Sequence, residues 1–402
     1  MSKSTDNKMS HDFNAPTGKR RKVLITALEP SADAIGAAFI RSLRKRMPNT
    51  AFIGCGGPLM AEAGFQSLFP TDDFAVIGVG DVLRVLTQAF SRAKELAELA
   101  ATEKADAAIF IDGWLFARLC AVRFKKYAPQ TVLYKLAAPQ VWASRPERVD
   151  FVASYFDGVM CLFPFEPPLF EKAGARSAFV GNPNFQLAAR SRGDGNAFRL
   201  RHQLSDKPIL TVLLGSRRGE VKRLAPIFGA VVQQVAAKVD DLVVVTQLAP
   251  AVRDFAQPHI EKWGVETISP QPSEKFDAFA ATTAALAVSG TVTTELAING
   301  APMVVAYRVE NLTALWLWRA MKCDYASIIN IAANKEILPE FLQLKCRPSA
   351  IVPSLLTLLT DEKIRTQQIE EARSVLEYLD VDGEKAEDRA SVQFVNWFSE
   401  KK

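Results

Sequence analysis

The stretch Val23-Leu24-Ile25-Thr26-Ala27-Leu28-Glu29-Pro30-Ser31-Ala32-Asp33 passes from a short β-branched run, through a charged turn, into an amphipathic helical pattern. That is one strand–turn–helix unit. Further strand candidates follow at Ala51–Gly54, Ala107–Ile111, Val132–Leu136 and Gly158–Leu162. A second series occupies Ile209–Leu213, Leu242–Thr246, Val265–Ile268, Ala284–Val288 and Pro302–Ala306, again alternating with helical patterns. The alternation predicts an α/β chain built on parallel sheets. Two series predict two Rossmann-like, doubly wound domains that bind ligands outside the carboxyl ends of their strands, facing a cleft. The polar, turn-rich interval Asn182 to Pro208 is the expected boundary. The expected organisation is a disordered basic tail over 1–21, a first domain over 22–182, a second over 208–346, and terminal helices over 347–402 placed to pack across both.

Composition supports the same reading. A chain of 402 residues exceeds the roughly 250 to 300 at which single cores stop growing. With 49% hydrophobic and 23% charged residues it reads as an ordinary globular enzyme, not a disordered or fibrous chain. The formal charge is +5, but residues 1–22 hold six positive groups against Asp6 and Asp12, which is +4 of that total. The folded body is therefore near neutral, which argues against nucleic acid as a partner. The tail lacks the apolar core of a secretory signal, and the expected compartment is the cytoplasm. Five scattered cysteines include no Cys-x-x-Cys pair, and the only histidines are His11, His202 and His259. No metal site is expected, and acid–base chemistry falls to carboxylates. No apolar run reaches the roughly 18 to 20 residues that cross a bilayer, so any membrane contact is peripheral.

Five turns at expected strand ends could carry chemistry. Glu29, Ser31 and Asp33 cluster after the first strand; the alternative is a helix start, with Ser31 as cap and Asp33 facing the positive end of the helix dipole. Gly56 and Gly57 make a tight turn that lacks the full dinucleotide fingerprint. Asp112 leaves its strand where a carboxylate could take a proton, or could serve only as a turn or cap. In the second half, Gly215-Ser216-Arg217-Arg218-Gly219-Glu220 offers backbone N–H groups, a hydroxyl and a guanidinium to phosphate oxygens. Ser289-Gly290-Thr291-Val292-Thr293-Thr294-Glu295 opens a helix at an anion-binding end, with Glu295 one turn inward and able to accept from sugar hydroxyls. For each of these two a plain helix cap is the alternative. Together they favour a phosphorylated ligand.

These pieces, with Gly56-Gly57-Pro58-x-Met60, Pro139-x-Val141-Trp142-Ala143, Leu162-x-Pro164-Phe165-Glu166, Pro302-Met303-Val304-Val305-x-Tyr307-Arg308, Asn330 and Pro339-Glu340-x-x-Gln343, resemble in number and order the lipid-A-disaccharide synthase family of GT-B inverting glycosyltransferases. The resemblance runs from Val23 to the final helix. It implies transfer of 2,3-diacylglucosamine from UDP-2,3-diacylglucosamine to 2,3-diacylglucosamine 1-phosphate, forming the lipid A disaccharide of Gram-negative lipopolysaccharide and releasing UDP. It implies no cofactor and a peripheral location on the inner face of the inner membrane. As site residues it implies Asp112, Glu29 and Arg217 in catalysis, and Ser31, Asp33, Gly56, Gly57, Gly215, Ser216, Glu220, Ser289, Gly290, Thr291, Glu295, Asn330 and Gln343 in substrate binding. The family usually has glycine where Leu28 and Ala32 stand and Ala-Pro-Asp-Phe where Gly113-Trp114-Leu115-Phe116 stands. Those departures motivate one alternative, a catalytically weakened paralogue that binds UDP-sugar or lipid precursor; a second, a UDP-sugar 2-epimerase, shares the same architecture and nucleotide logic. Apolar patches at Phe74–Phe90 and Leu315–Trp318, flanked by basic residues, are candidates for lipid contact, with core packing as the alternative. The terminal helices also offer a route to a homo-oligomer.

Overall fold

The computed structural model describes residues 21–71, 82–310 and 323–400. Side chains of the expected lipid-facing residues Val76 to Leu86, and all of Leu315 to Trp318, lie outside this description. Two parallel sheets form the framework. The first contains β1 (Arg21–Thr26), β2 (Thr50–Cys55), β3 (Gln66–Ser67), β4 (Ala107–Ile111), β5 (Val132–Leu136), β6 (Gly158–Cys161) and β7 (Ser177–Phe179), in the order β3-β2-β1-β4-β5-β6-β7. The second contains β8 (Ile209–Leu213), β9 (Val243–Val245), β10 (Thr267–Ile268), β11 (Ala284–Ala287), β12 (Met303–Tyr307) and β13 (Glu340–Leu342), in the order β10-β9-β8-β11-β12-β13. Both orders reverse once, between β1 and β4 and between β8 and β11. Each reversal is the switch point at which a doubly wound sheet binds its ligand.

Every expected strand is present, some shorter or longer by a residue or two. Three were not foreseen: β3, β7 and β13 have two or three residues each and lie at sheet edges. Such lengths are too short to show a periodicity, and their existence depends on the neighbouring strand that pairs with them.

Contact density divides the chain into Met1–Val132 and Leu133–Lys402. In the first unit β4 is buried along its whole length, as expected of a parallel strand covered on both faces. Phe39, Ile40 and Leu43 of the helix Pro30–Arg46 are also buried, while the helices Val82–Thr102 and Trp114–Tyr127 pack on each other.

The second unit holds the β8–β13 sheet, covered by the helix Arg218–Ala236 and by Pro348–Thr360. The interval 182–208, read from its turn residues as the boundary between domains, contains two short helices, Pro183–Arg190 and Gly195–Arg201. Its turn residues are helix caps: Asn182 accepts from Asn184 N at 3.1 Å and Asp194 from Ala197 N at 3.0 Å. The last helix, Ala386–Glu400, returns to β5 and β6. Tyr134 of β5 stacks on Trp397 with centroids 5.8 Å apart and meets Phe394 edge-on at 5.4 Å. Gln186 fixes the approach to that helix, donating to Glu384 O and accepting from Ala386 N. Among the described residues no helix is long and apolar enough to cross a membrane.

Candidate active site

In the first unit Thr26 pairs with Cys55 on one side and with Phe110 on the other. The turns that follow β1, β2 and β4 therefore leave the sheet at one level. Glu29 occupies the N-cap position of the helix Pro30–Arg46, with Pro30 at its first position. Ser31 thus lies inside the first turn and is not the cap. Both Glu29 and Ser31 are exposed.

Asp33 is placed quite differently, being only 3% exposed. Its carboxylate accepts from Gly57 N (2.9 Å), Leu59 N (2.9 Å) and Met60 N (3.1 Å). It therefore closes the start of the helix Pro58–Glu62, which follows the neighbouring strand β2. The close approach explains Gly57, since a Cβ there would come to 2.6 Å from Asp33 Oδ2. Asp33 and Gly57 are brought together by each other, with the Asp33 oxygens already committed.

Asp112 follows β4 with φ 48°, and Gly113 continues at φ 49°. Two successive left-handed residues turn the chain sharply into the helix Trp114–Tyr127. The Asp112 carboxylate is exposed and has no partner among the described residues. Of the three acids foreseen at this edge, Glu29 and Asp112 are open to a ligand and Asp33 is not.

In the second unit, Gly215 lies in the turn after β8 with φ 94°, and a Cβ there would collide with the Glu220 carboxylate. Glu220 is buried, and its Oε2 accepts from Ser216 N (3.1 Å) and Arg217 N (3.2 Å). Its Oε1 takes the Arg217 guanidinium (3.3 Å) and the Tyr307 hydroxyl (3.2 Å). Burial first, then the adjacent Glu220 charge, pushes the Tyr307 hydroxyl above its ordinary value. Glu220 therefore shapes the turn from beneath and takes up two N–H groups expected to meet phosphate. What remains for an anion is the Ser216 hydroxyl, the N–H groups of Arg218 and Gly219 at the helix start, and the Arg217 side chain, which is 80% exposed.

After β11, Gly290 caps the helix Thr291–Ile298. Ser289 Oγ donates to Ala326 O at 2.7 Å, and Thr291 is exposed. Glu295 is ion-paired with Lys275 Nζ at 2.7 Å. Lys275 in turn lies over the rings of Phe276 and Phe279. Lys275 was missed because nothing local marks a lysine whose partner is on another helix.

Asn330, foreseen as a ligand contact, is 0% exposed. Its amide donates to Leu338 O and Glu340 Oε1 (2.8 Å each) and accepts from Ile337 N and Leu338 N (2.9 Å each). All four of these side-chain bonds are internal to the structure. Glu340 is the hub of the same network, accepting also from Ala326 N and from Ser327 N and Oγ. The loop that receives the Ser289 hydroxyl is thereby tied to β13. Gln343 follows β13 at φ 52° and is half-buried.

Residues 23–394 match the profile of the Lipid-A-disaccharide synthetase family. The chain belongs to the lipid-A-disaccharide synthase family. It is 37% identical over 360 residues to the lipid-A-disaccharide synthase of Rhodospirillum centenum, covering 89% of this chain and 90% of that protein. It is 34% identical to the synthase of Paramagnetospirillum magneticum, over 94% of this chain and 98% of that one. As a member of this family the protein is a glycosyltransferase.

Solved structures extend the likeness in fold alone. A UDP co-structure of MnaA from S. aureus superposes with TM-score 0.63 at 13% identity, over 94% of this chain and 97% of that one. A trehalose 6-phosphate synthase from Burkholderia multivorans gives 0.60 at 11%, over 96% and 97%. The architecture is thus that of GT-B glycosyltransferases and UDP-sugar epimerases, and family membership separates the two.

Proposed function

We propose that this chain transfers 2,3-diacylglucosamine from its UDP conjugate to the 6-hydroxyl of 2,3-diacylglucosamine 1-phosphate, releasing UDP and forming the β-1′,6-linked disaccharide. The family match over 23–394 carries the reading. UDP belongs on the second unit, with the diphosphate at Arg217, Ser216 and the helix ends after β8 and β11, and ribose hydroxyls on Glu295. The exposed guanidinium and the first-turn N–H groups supply positive charge where the leaving group becomes anionic. The acceptor belongs on the first unit.

There Asp112 removes the proton from the attacking hydroxyl, since an inverting displacement needs a base on the acceptor side. Its carboxylate, exposed and without a partner among the described residues, supports this role over Asp33, whose oxygens accept three N–H groups. Glu29 stands beside it as an auxiliary carboxylate. The working location is the inner face of the inner membrane, reached without a crossing helix among the described residues.

Incubation with matched lipid donor and acceptor tests the reading. Disaccharide and UDP in equal amounts are expected. UDP-sugar isomerised at C2 without disaccharide would favour the epimerase alternative, and nucleotide binding without product the weakened paralogue.

A further inference from the structure

The carboxyl ends of β5 and β6 hold two buried charges that the proposed chemistry does not use. Lys135 on β5 is 1% exposed, and its ammonium donates to Leu136 O (3.0 Å) and Ala137 O (2.6 Å). Glu166, also 1% exposed, accepts from Leu162 N and Phe163 N through one oxygen and from the Trp142 indole N–H through the other, each at 3.0 Å. Burying an ion costs several kcal/mol even after relaxation, so each charge depends on these bonds.

The atoms that supply them belong to the loops leaving β5 and β6, at the edge where doubly wound sheets bind ligands. The loop after β5 is bracketed by Ala137 at φ 64° and Arg145 at φ 55°, conformations that side-chain-bearing residues adopt only where their surroundings hold them. Between them Trp142 is half-buried, edge-on to Phe163 (6.1 Å) and Phe165 (5.6 Å). Trp142 and Phe165 also pack against the core cluster containing Leu213, Leu296 and Ile329 of the second sheet and its helices. The Glu166 carboxylate therefore holds the β5 loop to the β6 loop and, through Trp142, to that core.

We infer that Glu166 is a positioning residue of the transfer reaction, holding Trp142 and the Ala137–Arg145 loop against the second-sheet elements that carry the proposed UDP site. The inference rests on the proposed function, which puts UDP at the turns after β8 and β11, the elements that supply Leu213 and Leu296 of the core on which Trp142 packs. Burial pushes the Glu166 carboxyl up to about 7, against the lowering pull of its three N–H donors and of Lys135. The titratable groups that face it are Lys135 from β5 and the Cys161 thiol at the end of β6, itself pushed up by burial and then by Glu166; Glu171 on the next helix bonds to Ser177. Protonation removes the negative charge that strengthens all three bonds, so they weaken and the loop loosens. Substrate must then draw the loop back, which raises KM by the inverse of the competent fraction and leaves kcat largely intact.

The test compares the parent enzyme, Glu166→Gln and Trp142→Phe in the disaccharide assay over roughly pH 6 to 9. In Glu166→Gln a competent fraction of about one tenth would raise KM ~10-fold with kcat within about threefold. The parent should lose kcat/KM as pH falls through about 7, and Glu166→Gln should lack that limb. Trp142→Phe keeps the ring but removes a donor that favours the ionised carboxyl, so its limb should move to higher pH. Parent-like KM and an unchanged limb in Glu166→Gln overturn the inference alone. If that variant does not fold, an unmoved limb in Trp142→Phe overturns it. No disaccharide from the parent at any pH overturns the functional reading, and the positioning role with it.

Discussion

At the scale of single residues, the candidate site divides acids of similar sequence context by what they touch. Asp33 and Asp112 both follow a strand and precede or open a helix, yet one has its oxygens on three N–H groups and the other has no partner among the described residues. Asp112→Asn should therefore lower turnover by about 10² to 10⁴, the usual worth of a general base, while UDP affinity stays close to the parent. Steady-state rates with saturating lipid substrates, set beside calorimetric UDP binding, measure both; turnover within about threefold of the parent would remove Asp112 as the base. Arg217 gives the complementary pattern. Its guanidinium is largely exposed, so Arg217→Ala should weaken UDP by about 1.5 to 3 kcal/mol, roughly 10- to 150-fold in Kd. Calorimetry with UDP alone reads this without lipid substrate.

Between residue and whole molecule, buried carboxylates fasten elements together. Asp33 reaches from the helix Pro30–Arg46 to the first turn of Pro58–Glu62. Asp33→Ala leaves backbone N–H groups without acceptors and should cost about 3 kcal/mol in unfolding free energy, measured by denaturant titration. Glu166 fastens the β5 and β6 loops and makes stability depend on pH with a defined sign. Its folded pKa of about 7 lies above the ordinary 4.5, so between those values the folded state holds a proton that the unfolded state has lost. Its contribution is present below about 4.5, falls as pH rises to about 7, and is flat above. Relative to Glu166→Gln, the parent should thus lose roughly 2 to 3 kcal/mol between pH 5 and 8, read by denaturant titration at the two pH values. A parent that gains relative stability over that range would contradict the assigned burial effect.

For the molecule as a whole, the last helix fastens the chain's end to strands laid down far earlier, with Trp397 only 3% exposed beside Tyr134. Trp397→Ala should cost about 3 to 5 kcal/mol, the range for a buried aromatic truncated to Ala, and should lower the denaturation midpoint without altering the residues around Asp112 or Arg217. The sequence by itself determined the α/β class, both series of strands and the turns at their carboxyl ends, because β-branched runs, turn glycines and helical periodicity act over a few residues. It also determined the family, through the order of its motifs. Only the tertiary structure decided which of the residues in those turns are open to a ligand. Asp33 is bound by groups 24 to 27 positions away and Asn330 by a turn eight positions on. The short edge strands were equally undecided, since two or three residues become a strand only when a neighbour offers its unpaired N–H and C=O groups. Local pattern specifies where an element can form; the partner that satisfies a buried polar group is supplied by whatever the fold brings beside it.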